Sequence, residues 1–101
     1  QMRKGVMEYC VLAILANGDS YAPAIIAELK NAEMIVVEGT LYPLLTRLKN
    51  AGYLTYRWEE SIQGPPRKYY TLTEEGRTHL ASLDEAWDTL VEQISTIRNK
   101  H

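Results

Sequence analysis

Along residues 3–16 the apolar positions recur at helical spacing. Val6, Tyr9, Cys10, Ala13 and Ile14 form one stripe, and Val11, Leu12 and Leu15 widen it to nearly the whole circumference. A helix that is apolar all round is buried on more than one side. Asn17-Gly18 stops it. Asp19 and Ser20 are candidate caps for a second helix, and Pro23 suits its first turn. That helix is predicted to run to about Ala32, with Tyr21, Ile25, Ile26 and Leu29 facing inward.

A third helix is predicted over residues 38–51. Leu41, Leu44, Leu45 and Leu48 stand at i, i+3, i+4 and i+7 and define a core face. At 100° per residue, Gly39, Tyr42, Pro43, Thr46, Arg47 and Asn50 fall on the opposite half. Pro43 is acceptable only near a helix start, which makes Thr40 a candidate cap. Gly52 ends the helix. The period then changes to two. Leu54, Tyr56 and Trp58 alternate with Thr55, Arg57 and Glu59, and a second β-rich run covers Arg67 to Thr73. The segment Ser61-Ile62-Gln63-Gly64-Pro65-Pro66 between them is too long for a two-residue turn, so a projecting hairpin tip is expected. Thr73 caps a last helix with Glu74 and Glu75 in its first turn, while Gly76 is a poor helix former with no evident reason to be there. Leu80, Leu83, Leu90, Ile94 and Ile97, with Trp87 mid-seam, follow spacings of 3 and 4, a heptad pattern over nearly three repeats.

Three helices, two strands and a long helix make a mostly α (α+β) chain of winged-helix order. The expected division is a winged helix-turn-helix over residues 1–72 and a C-terminal dimerisation helix over residues 73–101, forming one compact unit. A seam of 3.5-residue period needs a mate, so a homodimer is expected, with Leu80, Leu83, Trp87, Leu90, Ile94 and Ile97 at its interface.

Composition changes this picture in two places. The net charge is −2, which opposes a nucleic-acid partner, but the imbalance is local. Residues 1–72 carry eight Lys/Arg against seven Asp/Glu, and residues 73–101 three against six. The cations gather at Arg3-Lys4, Arg47–Lys49 and Arg67-Lys68, enough for a few phosphate contacts each. The single cysteine, Cys10, lies in an apolar run and reads as a small hydrophobe; the chain has no disulfide framework, which fits a reducing cytosol. No signal peptide or membrane span is visible.

A recognition helix needs one face on its own domain and one face free for the major groove, bearing hydrogen-bonding groups, small residues and positive charge. Gly39, Tyr42, Thr46, Arg47 and Asn50 supply that set, and an exposed Tyr42 beside an exposed Pro43 is an odd choice for solubility alone. Gly64-Pro65-Pro66-Arg67-Lys68 places two cations beside a rigid tip that can reach phosphates or the minor groove. Enzymatic readings find no support. His79 sits on a helix surface turn and His101 is terminal; Glu59-Glu60 and Asp84-Glu85 point to different faces; no nucleophile motif, phosphate loop, metal-ligand spacing or cofactor signature is present.

Glu38-Gly39-Thr40-Leu41-Tyr42-Pro43-Leu44-Leu45 and Gly64-Pro65-Pro66-Arg67-Lys68-Tyr69-Tyr70-Thr71-Leu72-Thr73 resemble the signatures of the PadR family of transcriptional regulators. Arg3-Lys4-Gly5 with Tyr9-Cys10-Val11-Leu12 resembles the start of the same family, and the likeness spans about residues 3–90. The resemblance implies a homodimeric winged-helix repressor, often relieved by a small aromatic effector. The positions matching DNA contacts are Lys4, Thr40, Tyr42, Arg47, Gly64, Arg67 and Lys68. One departure is Tyr21-Ala22-Pro23-Ala24-Ile25 where the family usually has Tyr-Gly-Tyr-Glu-Ile. The short last helix resembles the compact branch. The expected partners are double-stranded DNA bearing an inverted repeat, a second copy of the chain, and a planar aromatic molecule seated near Trp87. The alternative is a winged-helix module that contacts protein in place of DNA, which the acidic balance favours.

Overall fold

The apolar circumference of the first helix is explained by its neighbours. In the computed structural model, which describes the backbone of residues 2–100 and the side chains of residues 5–100, α1 (Met2–Ala16) packs against three other elements. These are α2 (Ala22–Asn31), the strand β2 (Arg67–Leu72) and α4 (Glu74–Arg98). The remaining elements are α3 (Glu38–Asn50) and β1 (Leu54–Glu59). The architecture is a winged helix. Its core joins Val11, Leu12 and Leu15 of α1 to Ile25, Ile26 and Leu29 of α2 and to Leu41, Leu45 and Leu48 of α3. Leu54, Tyr70 and Leu72 close it from the sheet. Each fully buried leucine contributes about 2 kcal/mol of apolar transfer. Leu44, expected on the same face, is only half-buried.

The second helix begins differently from the expectation. Tyr21 occupies the N-cap position, and no side chain caps the helix. Ser20 is committed elsewhere: its N–H donates to the Tyr70 carbonyl at 3.2 Å and its carbonyl accepts from the Tyr70 N–H at 2.8 Å. Asp19 accepts from Arg57 of β1. Ser20 is thus fixed as a bridge residue on β2 and the Asp19 carboxylate is engaged by Arg57, and Tyr21, expected inward, stays half-exposed. The chain turns between α2 and α3 at Glu33, whose φ of 64° is left-handed.

Helix α3 also starts before Thr40. Val37 is its N-cap residue, and the Thr40 hydroxyl donates to the Val37 carbonyl at 2.6 Å. Pro43 thus lies inside the helix, where its missing N–H deprives the Gly39 carbonyl of its usual donor. Gly39 is exposed, so that carbonyl remains open to solvent.

β1 and β2 pair antiparallel with Leu54 opposite Leu72, Tyr56 opposite Tyr70 and Trp58 opposite Lys68. The bridge from Ser20 gives β2 a partner on its other edge. Thr73 caps α4 as expected, accepting from the Gly76 N–H at 3.0 Å, and its hydroxyl also donates to the Gly52 carbonyl at 2.7 Å. Gly76 is buried where α4 crosses the start of the hairpin, and a Cβ there would lie 2.2 Å from the Tyr53 carbonyl oxygen.

Candidate nucleic-acid interface

The face of α3 opposite its buried leucines is continuous and exposed. Gly39, Thr40, Tyr42, Pro43, Thr46, Arg47, Lys49 and Asn50 all lie at the surface, with Tyr42 50% accessible. The two flanks of this face meet different elements. On one flank, Lys49 Nζ stands 5.7 Å from the centroid of the Tyr56 ring of β1. On the other, Arg47 Nη2 donates to Glu8 Oε1 of α1 at 3.0 Å. Arg47 remains 59% exposed, while Glu8 is only 18% exposed.

Glu8 has a second partner. His79 Nε2 of α4 lies 3.0 Å from Glu8 Oε2, and the His79 ring stacks on Tyr53 with centroids 4.2 Å apart. Burial alone would raise the Glu8 carboxyl; the hydrogen bonds from His79 and Arg47 outweigh it and hold the group below the usual carboxylate range. An ionised carboxylate only accepts, so Nε2 carries the proton. His79 therefore joins α4 to α1, which corrects its placement on a surface turn.

The hairpin splits its two cations. Lys68 lies on the same face as Tyr56 and Trp58, with Nζ 4.0 Å from the Tyr56 centroid and 5.8 Å from that of Trp58. Arg67 points to the opposite face, its guanidinium 5.0 Å from the Tyr21 ring centroid. Gly64, with φ of 120°, supplies the left-handed turn at the tip. Lys4 lies outside the described side chains.

On α4 the heptad seam divides. Leu80 and Leu83 are half-buried against the chain's own core. Trp87, Leu90, Val91, Ile94 and Ile97 are exposed, Ile97 by 62%. The Trp87 ring lies 6.3 Å from that of Tyr9, whose hydroxyl donates to Asp84. Among the described residues no group of His, Cys, Asp or Glu could hold a metal ion, and no helix is long and apolar enough to cross a membrane.

Residues 11–82 match the transcriptional regulator PadR-like family. The chain belongs to that family. This PadR-like regulator is 56% identical to a PadR-like transcription factor from Bacteroides fragilis, with a TM-score of 0.86 over 96% of this chain and 94% of that one. A Streptococcus mutans protein is 39% identical, covers 93% and 87% of the two chains and superposes with a TM-score of 0.85. A PadR-like transcriptional regulator from Bacillus cereus is 31% identical over 96% and 95%, with a TM-score of 0.84. The chain is thus a DNA-binding transcriptional regulator of winged-helix fold.

In this PadR-like regulator the structure adds Tyr56 and Trp58, which sequence reasoning did not count toward the site, to the expected cations Lys49 and Lys68. Lys49, Tyr56, Lys68 and Trp58 form a strip in which cations and aromatic rings alternate, running from the last turn of α3 out along the hairpin. Trp58 is 63% exposed at the outer end of this strip. The signal was present in the period-two run, where Tyr56 and Trp58 occupy the face that Leu54 buries. Pairing with β2 was needed to show that Lys68 joins them.

Proposed function

We propose that the chain is a repressor that pairs with a second copy and binds an inverted-repeat operator, placing one α3 in each of two successive major grooves about 34 Å apart. The observation that carries this reading is the uncovered face of α3, from Gly39 to Asn50, with cations on both flanks. Arg67 and Lys68 stand beside the tip of the wing, where they fit phosphate contacts. The exposed ridge from Trp87 to Ile97 is the surface for the second copy, with Leu80 and Leu83 continuing it toward the core. Trp87 and Tyr9 together offer aromatic surface between α1 and α4, suited to a planar aromatic effector that would release the operator.

Genomic fragments selected by the purified protein provide the operator. In fluorescence anisotropy, Tyr42→Ala and Arg47→Ala should each lower operator affinity at least tenfold, about 1.4 kcal/mol, with circular dichroism unchanged. Unaltered affinity for both variants would overturn the assignment of α3. Wild-type affinity should fall steeply with added salt, whereas a winged helix that contacts only protein would show no duplex binding. For the effector, quenching should be read in a Trp58→Phe background, because the exposed Trp58 would otherwise share the signal with Trp87.

A further inference from the structure

We infer that Glu8 is a positioning residue that competes with DNA phosphate for Arg47 and restrains binding to non-specific duplex. This rests on the reading of α3 as the DNA surface. Arg47 is the cation on the α1 flank of that surface, and its guanidinium donates to Glu8 Oε1. Glu8 cannot follow Arg47 outward. Its side chain is mostly covered, and its other oxygen is held by His79 from α4, which is itself stacked on Tyr53. A phosphate approaching α3 therefore meets a guanidinium already paired with a fixed anion. Reaching the phosphate exchanges one charge-assisted hydrogen bond for another and leaves a mostly covered carboxylate without its cation, so the phosphate gains only the difference. Lys49 on the opposite flank faces the Tyr56 ring and carries no such restraint in the contacts described.

The test is anisotropy of a random-sequence duplex across a salt series. Glu8→Gln keeps the side-chain shape and an acceptor for His79 while removing the charge. It should bind roughly two- to fivefold more tightly, the range of an exposed ion pair. The slope of log K against log salt should steepen by about 0.9, one further phosphate. Loss of a negative charge near DNA would by itself tighten binding, so the same substitution is made in an Arg47→Ala background. There the gain should shrink to that through-space part and the added slope should vanish. Unchanged affinity and slope in Glu8→Gln, or an equal gain in the Arg47→Ala background, overturns the inference alone. Absence of salt-dependent duplex binding by the wild type overturns the DNA reading together with it.

Discussion

A Cβ at position 76 would stand 2.2 Å from the Tyr53 carbonyl oxygen and 2.6 Å from Leu72 Cδ1. Helix propensity alone makes Gly76→Ala stabilising by about 1 kcal/mol. Overpacking against backbone acts the other way and is larger, about 1–3 kcal/mol. Gly76→Ala should therefore lower the unfolding free energy in urea, and a rise would mean that α4 can lift from the hairpin. Tyr9 gives a second residue-scale expectation. Its hydrogen bond to Asp84, chiefly, raises the phenol to about 12. The folded value lies above the ordinary 10, so this bond contributes below about pH 10 and is lost as pH climbs through about 12. Ultraviolet titration should show one late tyrosine in the wild type, returning toward 10 in Asp84→Asn. None of this is visible in the sequence: Gly76 and Tyr53 are far apart along the chain, and so are Tyr9 and Asp84. The buried leucines of α3 were legible, because their i, i+3, i+4 spacing is a local property.

At the scale of elements, Thr73 illustrates what local rules capture. It precedes two glutamates and a heptad run, and it caps α4 through the Gly76 N–H. Thr73→Ala should cost about 1–2 kcal/mol in a denaturant melt, toward the upper end because the hydroxyl also donates to the Gly52 carbonyl. Caps failed as guides at α2 for the opposite reason. Ser20 and Asp19 have the right chemistry, but a strand residue fifty positions later, Tyr70, takes the Ser20 backbone and an arginine takes the Asp19 carboxylate. Pro43 misplaced the start of α3 because propensity argues against an interior proline, while three buried leucines hold the helix through it. The hairpin's period was legible; which cation shares a face with which ring was not, since register is set by the pairing of both strands.

The whole molecule is longer than its residue count suggests. A compact chain of this size has a radius of gyration of about 13 Å. The observed value is 15.6 Å with a longest extent of 58 Å, because the 25-residue α4 runs past the head. Its outer half shows Leu90, Val91, Ile94 and Ile97 to solvent. The heptad spacing announced this ridge, but not that Leu80 and Leu83 serve the chain's own core. If a second copy covers the ridge, the melting temperature should rise with protein concentration. Leu90→Asp should remove that dependence and halve the mass in sedimentation equilibrium. A concentration-independent melt with wild-type mass at monomer would reject the pairing.

The anchoring of α3 on both flanks limits how such a molecule can be regulated. Turning the helix about its own axis would strip Lys49 from Tyr56 or Arg47 from Glu8, and would drag three fully buried leucines through a packed interior. Each head is thus a stiff reading block with its angle of approach built in. A signal received near Trp87 has little leverage on that angle. If two copies pair through α4, it has far more on the spacing of two blocks carried on long helical levers, so the quantity a ligand would tune is the distance between the two winged-helix units measured against the pitch of the duplex.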